Sequence, residues 1–478
     1  MYLMKQKWEQ EPVDVLGKVD SHLPWWFRPE IVFTALALSA GLFMVFATAP
    51  FQAPDEDNHF MRIFQLSEGQ LLPIRVHYDN GRDDVGGVLP ACVRGTSEVF
   101  MRMKFAPLEK VAPVEWKKMI VQPFAAQPKN FTGFCNTAVY PPISYIPQVV
   151  GIWLTRPLVV SPLVMMYAGR LLNLFCWWAI VYAAIRVTPI YKWVMMLVGL
   201  LPMGVFLAAS LSADPMTNAM VMLLVAVVLK STFGDTNRLA MKEKLLIAVL
   251  CVGVAVAKTV YCPFVALVLL IPASRLGGWK AKLIFCSTTI ITATIIIAGW
   301  TYLVKDFVVT VEWAEPAEQI SFIMHNPVTY MGILIKTVQV NWRPYWGSLV
   351  GILGWLDIPL PIWIYYTYAA VFVTAAITDT KGGGEKTLGF IERGLLGVIW
   401  LLSFILVETS MYVLCTQPGS PEVVDVQGRY LIPTMPLLLL ILHNRWVKMP
   451  SKWLGGVATV YCVSVLAVAC VAIIERYY

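Results

Sequence analysis

Residues 283–302 read LIFCSTTIITATIIIAGWTY, a run without a single charged side chain. A helix of this length crosses the ~30 Å hydrocarbon core of a bilayer. The whole chain has the same character: of its 478 residues, 58% are hydrophobic and 14% are charged, and the mean hydropathy is +0.65. Soluble domains carry about 25% charged residues. This chain therefore needs lipid as its solvent.

The apolar stretches predict an all-α polytopic membrane protein with about eleven spans. Several stretches are short or contain proline, so broken helices are expected among them. The predicted spans are 30–49, 162–185, 191–210, 215–230, 244–257, 259–272, 282–302, 359–378, 394–414, 430–443 and 453–474.

The short loops predict the orientation of these spans. Every second loop is rich in Lys and Arg, whereas the alternate loops at 212–217, 259–263 and 416–427 have neither. Basic loops stay in the cytoplasm, so the lysine-free loops and the two long hydrophilic segments are expected outside. The predicted divisions are a cytoplasmic segment 1–29, a first helix 30–49, an external loop 50–161, a helix bundle 162–304, a second external loop 305–358 and C-terminal helices 359–478. Both external loops are expected to carry short helices.

The net charge of +7 is explained by these basic loops, so a nucleic-acid partner is not expected. No CxxC or HExxH spacing occurs, and no metal or other cofactor is required by the sequence. Cys92 and Cys135 both lie in the first external loop. A disulfide between them and two free thiols are equally acceptable interpretations.

An acidic cluster follows the first span, where Asp55, Glu56 and Asp57 precede His59. Like charges and partial desolvation raise carboxyl pKa values, which is how a carboxylate becomes a proton acceptor near neutral pH. The alternative is a helix cap at Asp55, with the acids favoured by the helix dipole. From residue types alone, the two interpretations are equal.

A series of motifs resembles a bacterial family of polytopic membrane proteins, domain of unknown function 2142, which is grouped with the GT-C glycosyltransferases. The motifs occur in order over nearly the whole chain: residues 54–69 (PDEDNHFMRIFQLSEG), 140–145 (YPPISY), 212–218 (SADPMTN), 354–361 (GWLDIPLP) and 427–430 (QGRY). Asp57 and Asn58 depart from the family's usual residues, so the start of the helix is expected to differ there.

The resemblance implies a GT-C-like helix bundle in the bacterial cytoplasmic membrane, with an active site that faces the periplasm. An acid of the first external loop, Asp55 or Glu56, would act as general base, with Asp55 favoured. The donor would be a sugar on polyprenyl (undecaprenyl) phosphate, and the acceptor a cell-envelope glycan such as O-antigen or a wall polymer. Inversion at the anomeric carbon would follow, and a donor synthase or flippase would be a partner.

Such a transfer needs cations to stabilise the departing lipid phosphate. Arg429, Arg343, Arg62 and Lys258 are the candidates, with Arg429 first because it directly precedes a span behind a flexible Gly428. The three arginines also have an alternative role as anchors of the chain at the interface, and Arg62 could pair with Asp55 or Glu56.

The acceptor side is predicted from aromatic and polar residues of the external segments. The candidates are His59, Tyr140, Asp357, Trp342 and Trp346. Tryptophan also concentrates at membrane interfaces, which is the better explanation for the two tryptophans. Asp214 begins the fourth span and is expected to cap it. Arg170, inside an apolar run, is expected to pair with a carboxylate, Glu408 for example, or with backbone carbonyls.

Three other hypotheses stay open. A transporter or lipid-linked oligosaccharide flippase would use charges within the membrane, although we find no internal repeat. A polymerase or ligase with a polyprenyl-diphosphate donor would share the same architecture. A divalent cation at the acidic cluster is a minor alternative for the enzyme.

Overall fold

The computed structural model describes residues 23–478 except 80–81, 123, 125–127, 159, 235–237, 380–387, 445 and 448. Most of these residues are helical. The α-helices are α1 (Pro29–Ala47), α2 (Glu56–Ser67), α3 (Ala91–Met101), α4 (Pro113–Val121), α5 (Cys135–Ala138), α6 (Ile146–Thr155), α7 (Pro162–Val187), α8 (Lys192–Gly199), α9 (Pro202–Ala208), α10 (Asp214–Phe233), α11 (Met241–Ala257), α12 (Ala273–Leu276), α13 (Trp279–Val304), α14 (Pro316–His325), α15 (Pro327–Val350), α16 (Ile362–Thr378), α17 (Phe390–Cys415), α18 (Met435–Ile441) and α19 (Ser451–Tyr477). The 3₁₀ helices are η1 (Trp25–Phe27), η2 (Pro142–Tyr145), η3 (Arg156–Leu158), η4 (Thr259–Leu270), η5 (Lys305–Phe307) and η6 (Gly428–Thr434). The strands are β1 (Ile74–His77), β2 (Asp83–Pro90), β3 (Lys129–Gly133), β4 (Ile352–Leu353) and β5 (Ile358–Pro359).

Within the described residues, six helices are long and apolar enough to cross a membrane: α1, α7, α10, α13 extended by η5, α17 and α19. Three shorter apolar helices accompany them: η4, α16 and the continuous η6–α18 segment. The protein is therefore a multi-pass membrane protein, but the predicted count of eleven spans is not confirmed. The predicted span 191–210 is broken between α8 and α9, because Pro202 cannot donate the hydrogen bond that would continue the helix.

The helices differ in how much of their surface is enclosed by the protein. α10 lies centrally, with 78% of its most apolar window buried, against 17% for α13 and 22% for α17. α7 packs against α1, α6 and α10. Gly151 allows α6 to approach α7 closely, since a Cβ there would lie 2.7 Å from the Ala168 carbonyl oxygen. α13 and α17 therefore present most of their apolar surface to lipid.

The segment after α1 folds into five helices and a sheet. α2, α3 and α5 pack against an antiparallel sheet of order β1-β2-β3, in which Gly86 pairs with both Ile74 and Gly133. The short helices agree with the sequence analysis, whereas the sheet was not predicted. β2 contains Gly86 and Gly87, which have low strand propensity, so its pairing depends on distant partners.

The second hydrophilic segment is more helical than predicted. Instead of a loop with short helices, it contains α15, which is 24 residues long and carries Pro344 inside it. Polar residues such as Lys336, Asn341 and Arg343 keep α15 out of the set of apolar spans. A two-stranded hairpin, β4-β5, follows it.

Part of the evidence for orientation falls outside the described residues. Most of the predicted cytoplasmic segment 1–29 does so, as do Lys381, Lys386, Arg445 and Lys448. The sidedness of the protein therefore stays a prediction from the loop charges.

Candidate functional site

A buried ion pair holds the turn between α1 and α2. Arg170 of α7 donates from Nε to Glu56 Oε1 (2.7 Å) and from Nη2 to Oε2 (2.6 Å), and both side chains are fully buried. The same guanidinium donates to carbonyls of the α1 end, those of Val45, Thr48 and Ala49. Arg170 thus pairs with Glu56 instead of Glu408. Because Glu56 also accepts from the Leu211 amide (2.9 Å), it has no open side toward a substrate.

The neighbouring Asp55 is placed differently. It precedes α2 with a left-handed backbone (φ 59°), and its carboxylate makes no capping hydrogen bond. Asn136 Nδ2 donates to Asp55 Oδ1 (3.0 Å), and Arg429 Nη2 donates to Oδ2 (3.3 Å). The side chain keeps 35% of its surface exposed. Asp55 thus occupies the N-cap position of α2, as the capping interpretation predicts, but its side chain does not make the capping bond. Of the two predicted bases, only Asp55 faces an accessible space.

The third acid, Asp57, points elsewhere. It is buried, and burial raises the pKa of its carboxyl group. The three consecutive acids thus occupy three separate environments. The predicted effect of like charges is present as a minor contribution, since Asp55 also raises the pKa of Asp57.

Three ionic side chains from distant parts of the chain meet near Asp55. We call Asp55, Asp214, Lys258 and Arg429 the charge cluster. Lys258 pairs with Asp214 Oδ1, and Arg429 Nη1 lies 3.6 Å from Asp214 Oδ2. Lys258, Asp214 and Arg429 expose only 14%, 8% and 3% of their side-chain surfaces. The cluster contains two acids and two bases, so its formal charge is zero.

The secondary structure explains why these four residues meet. Asp55 follows α1, Asp214 begins α10, Lys258 joins α11 to η4, and Arg429 lies in the first turn of η6. All four positions are at helix ends, at the same end of the bundle. The expected capping role of Asp214 is wrong, because Ala213 occupies the N-cap position and no side-chain capping bond forms.

Arg429 is held by a close helix contact behind it. The Gly428 amide donates to Ser348 Oγ of α15 (2.7 Å), and a Cβ at Gly428 would lie only 1.7 Å from the Tyr345 carbonyl oxygen. Gly428 therefore serves close packing against α15, where the sequence suggested flexibility. Within the described part of the chain, the buried Arg429 Nε donates to no acceptor.

Aromatic rings line the cationic side of the cluster. Lys258 Nζ lies 4.9 Å from the Tyr430 ring centroid and 5.8 Å from that of Tyr140. The Arg429 guanidinium lies 5.1 Å from the Tyr430 ring. Tyr140, predicted for the acceptor side, is thus beside the predicted phosphate-binding residues.

His59 lies behind this wall. Its Nδ1 is 2.7 Å from the Tyr145 hydroxyl, and its side chain is buried. Burial lowers the pKa of His59 to about 4, an effect strengthened by Arg429 and Lys258 and opposed by Asp55 and Asp214. The imidazole is therefore neutral at physiological pH, and its contact with Tyr145 packs it behind the charge cluster.

Arg62 donates hydrogen bonds to one side chain and two backbone carbonyls, none of which belongs to the charge cluster. It donates to Gln65 Oε1 (2.5 Å) and to the carbonyls of Leu71 and Tyr140 (3.0 Å each). Burial lowers the pKa of its guanidinium to about 10. The alternative pairing with Asp55 or Glu56 is not among these contacts. Its contact with the Tyr140 carbonyl gives it a positioning role.

Four further predicted site residues are engaged elsewhere. Trp342 and Arg343 are exposed on α15, with the guanidinium 5.2 Å from the indole. Trp346 donates to the Tyr365 carbonyl (2.7 Å), and Asp357 pairs with Arg476 Nε (2.8 Å). Trp346 thus joins α15 to α16, and Asp357 joins the β4-β5 hairpin to α19. The structure does not bring these four residues to the charge cluster.

The remaining predictions concern thiols and metals. Cys92 and Cys135 are both free thiols in the structure, so the disulfide alternative is not formed. In the described residues, no group of three or more His, Cys, Asp and Glu side chains is arranged to hold a metal ion. The cofactor prediction itself stays untested.

Four residues of the site were not predicted as site residues: Asp214, Asn136, Tyr145 and Tyr430. Tyr145 and Tyr430 lie within the motifs quoted for the family resemblance, which was a usable signal. Asn136 contacts Asp55 across 81 positions of the chain, and nothing in the sequence around it indicates that contact.

Comparison with known proteins gives a family and no function. A family model described as "Predicted membrane protein (DUF2142)" matches residues 38–438. No curated protein matches the chain. No solved structure matches it either, so the GT-C-like arrangement stays a prediction.

Proposed function

This chain belongs to the DUF2142 family of predicted membrane proteins, and we propose that it is an inverting glycosyltransferase that uses a polyprenyl-phosphate sugar donor. The observation that carries the proposal is the placement of Asp55. A partly exposed carboxylate lies beside two cations and two tyrosine rings at the end of a membrane helix bundle. That is the set of groups that a sugar transfer from a lipid phosphate requires.

In the proposed reaction, Asp55 accepts the proton of an acceptor hydroxyl. The hydroxyl oxygen forms a bond to the anomeric carbon while the bond from that carbon to the phosphate oxygen breaks. The configuration inverts, because the displacement is single and in line. Asn136 and Arg429 would orient the carboxylate, since each contacts one of its oxygens.

Arg429 and Lys258 would bind the donor phosphate. The contacts of Arg429 with Asp55 and Asp214, at 3.3 and 3.6 Å, are longer than the 2.6–2.7 Å bonds of Arg170 to Glu56. Charge-assisted hydrogen bonds at full strength measure about 2.7–2.9 Å. Arg429 also retains its buried Nε for a ligand, the described residues supplying no acceptor for it. Its guanidinium is therefore available to a phosphate, whereas that of Arg170 is not.

The location follows from the loop charges. The positive-inside rule puts the charge cluster on the periplasmic face of a bacterial cytoplasmic membrane. The acceptor would be a cell-envelope glycan such as O-antigen or a wall polymer. The donor would come from a synthase and a flippase that deliver it to that face.

The test is transfer of labelled sugar in proteoliposomes, with a panel of undecaprenyl-phosphate sugars and envelope glycan acceptors. Asp55→Asn should lower turnover by about 10²–10⁴-fold, the usual contribution of a general base. Glu98→Gln is the matched control, since Glu98 is an exposed acid of the same segment. Normal turnover in the Asp55 variant would eliminate the assignment of the base.

The same assay separates the other hypotheses. Transfer from a diphosphate-linked donor alone would indicate a polymerase or ligase. Movement of intact lipid-linked sugar across the bilayer, without a new glycosidic bond, would indicate a transporter or flippase. Loss of transfer on chelation would support the alternative in which the enzyme uses a divalent cation.

A further inference from the structure

An apolar groove runs along the lipid-facing side of the bundle, between η4 and α13. It encloses about 630 Å³. Cys262 and Val265 form one wall, and one stripe of α13 forms the other, including Ile290, Ala293, Ile297 and Thr301. These α13 positions recur every three or four residues, so they lie on one helix face.

The groove has a cation at one end. Lys305, which follows the last turn of α13, lines it together with Tyr302, and the ammonium lies 4.4 Å from the Tyr302 ring. The rest of the lining is apolar apart from Thr294, Thr301 and the Cys262 thiol. An apolar channel that ends at a cation is complementary to an amphiphile with an anionic headgroup.

Both walls of the groove are bonded to the elements that carry the charge cluster. On one side, η4 begins immediately after Lys258, and the Tyr261 hydroxyl donates to the Tyr430 carbonyl (2.6 Å). On the other, Trp300 of α13 donates from Nε1 to the Val139 carbonyl (3.0 Å), next to Tyr140. The Cys262–Lys305 end of the groove is therefore the end that lies near Lys258 and Tyr140.

We propose that this groove binds the isoprenoid chain of the lipid-linked donor and guides its phosphate from Lys305 to Lys258 and Arg429. The proposal rests on the proposed function and specifies how its donor is held. Thr294 and Ala298 are exposed, so the groove is open to the bilayer along its side, and a donor could enter laterally from the leaflet. A phospholipid that fills the same groove is the competing occupant.

The experiment measures lipid binding separately from catalysis. The protein in nanodiscs is incubated with undecaprenyl phosphate or with a phosphatidylglycerol, and bound lipid is counted by native mass spectrometry. Thr294→Trp fills the middle of the groove with an indole. Ile295→Trp is the matched control, because Ile295 is the next residue of α13, is 64% exposed and does not line the groove.

We expect Thr294→Trp to reduce bound undecaprenyl phosphate by about tenfold or more, because blocking the groove removes apolar contacts along the chain. Ile295→Trp should bind as the wild type does. Asp55→Asn should bind at least as much undecaprenyl phosphate as the wild type while transfer is lost, because it removes one negative charge beside Arg429. Failure of the groove and failure of the proposed function are therefore distinguishable. Equal binding by the two tryptophan variants, or equal displacement of undecaprenyl phosphate by phosphatidylglycerol, would overturn the proposal.

Discussion

Glu56→Gln tests whether two adjacent acids have separate roles. Glu56 accepts two hydrogen bonds from Arg170 and one each from the Ala53 and Leu211 amides, all within a fully buried environment. Glutamine keeps the shape of the side chain but removes its charge and turns one acceptor into a donor that faces the guanidinium. Arg170 would then be a buried cation without a counter-charge, with one amide oxygen and the backbone carbonyls as its acceptors.

The expected cost follows from this environment. Breaking a buried ion pair destabilises a protein by about 3–5 kcal/mol, because the remaining charge stays desolvated. Asp55→Asn should cost only about 0–1 kcal/mol, since its ion pair with Arg429 is long (3.3 Å) and its side chain is 35% exposed. The two substitutions, one residue apart, should thus affect different properties. Glu56→Gln should lower stability, and Asp55→Asn should lower turnover.

Thermal challenge in one detergent provides the measurement. Each purified variant is heated, and the monodisperse fraction is quantified by size-exclusion chromatography. We expect the midpoint of Glu56→Gln to fall by roughly 5–10 °C and that of Asp55→Asn to stay near the wild type. The double variant Glu56→Gln with Arg170→Gln should lose less stability than the sum of the two single variants. Neither side chain is then charged, so no unpaired charge stays buried. A wild-type midpoint in Glu56→Gln would refute the assignment of Glu56 to the fold.

Two further predictions concern the surroundings of Asp55. Arg429→Lys should lower kcat/KM for the lipid donor by about 10–100-fold without changing the thermal midpoint. The reason is that one ammonium cannot replace the several hydrogen-bond donors of the guanidinium. An unchanged kcat/KM would show that Arg429 does not bind the donor. The pKa of His59 is lowered to about 4 from 6.5, so the stability that its neutral form confers is complete above pH 6.5 and is lost as the pH falls toward 4. His59→Gln should flatten the decline of the thermal midpoint between pH 7 and pH 5, and equal slopes in both proteins would contradict the buried neutral imidazole.

The features that the sequence predicts correctly are those that depend on neighbouring residues in the chain. The charge-free run at 283–302 predicted α13. Asp55, Tyr140 and Arg429 lie in the quoted motifs, whereas Lys258 is a candidate because its charge lies within an apolar run. These predictions depend on hydropathy and on the helix ends, which alternate between two sides of a bilayer. The structure adds the contacts that decide the role of each residue.

The failures have one common cause, which is pairing over long distances in the chain. Glu56 and Arg170 are 114 positions apart, and Asp357 and Arg476 are 119 apart. An isolated charge next to a predicted helix cannot be assigned to a buried pair or to a substrate site until its partner is known. The sheet of β1, β2 and β3 was missed for the same reason, since β3 pairs with β2 only after two intervening helices.

The neutral charge of the cluster has a consequence for the proposed reaction. A polyprenyl-phosphate sugar is a phosphodiester with one negative charge. After the sugar is transferred, the polyprenyl phosphate is a phosphomonoester with two negative charges. In the same step Asp55 accepts a proton and becomes neutral. The negative charge thus moves from the carboxylate to the phosphate, while the total charge around Arg429 stays constant.

Arg429 is placed to follow this movement, because its Nη2 contacts Asp55 and its Nη1 faces Asp214. When Asp55 loses its charge, the guanidinium loses one partner as the phosphate becomes the stronger acceptor. Asp214 keeps its charge and its pairing with Lys258, which holds both cations in place without competing for the proton. A cluster with a net positive charge would bind the donor more tightly, but it would also retain the product phosphate, so balanced charge favours turnover over binding.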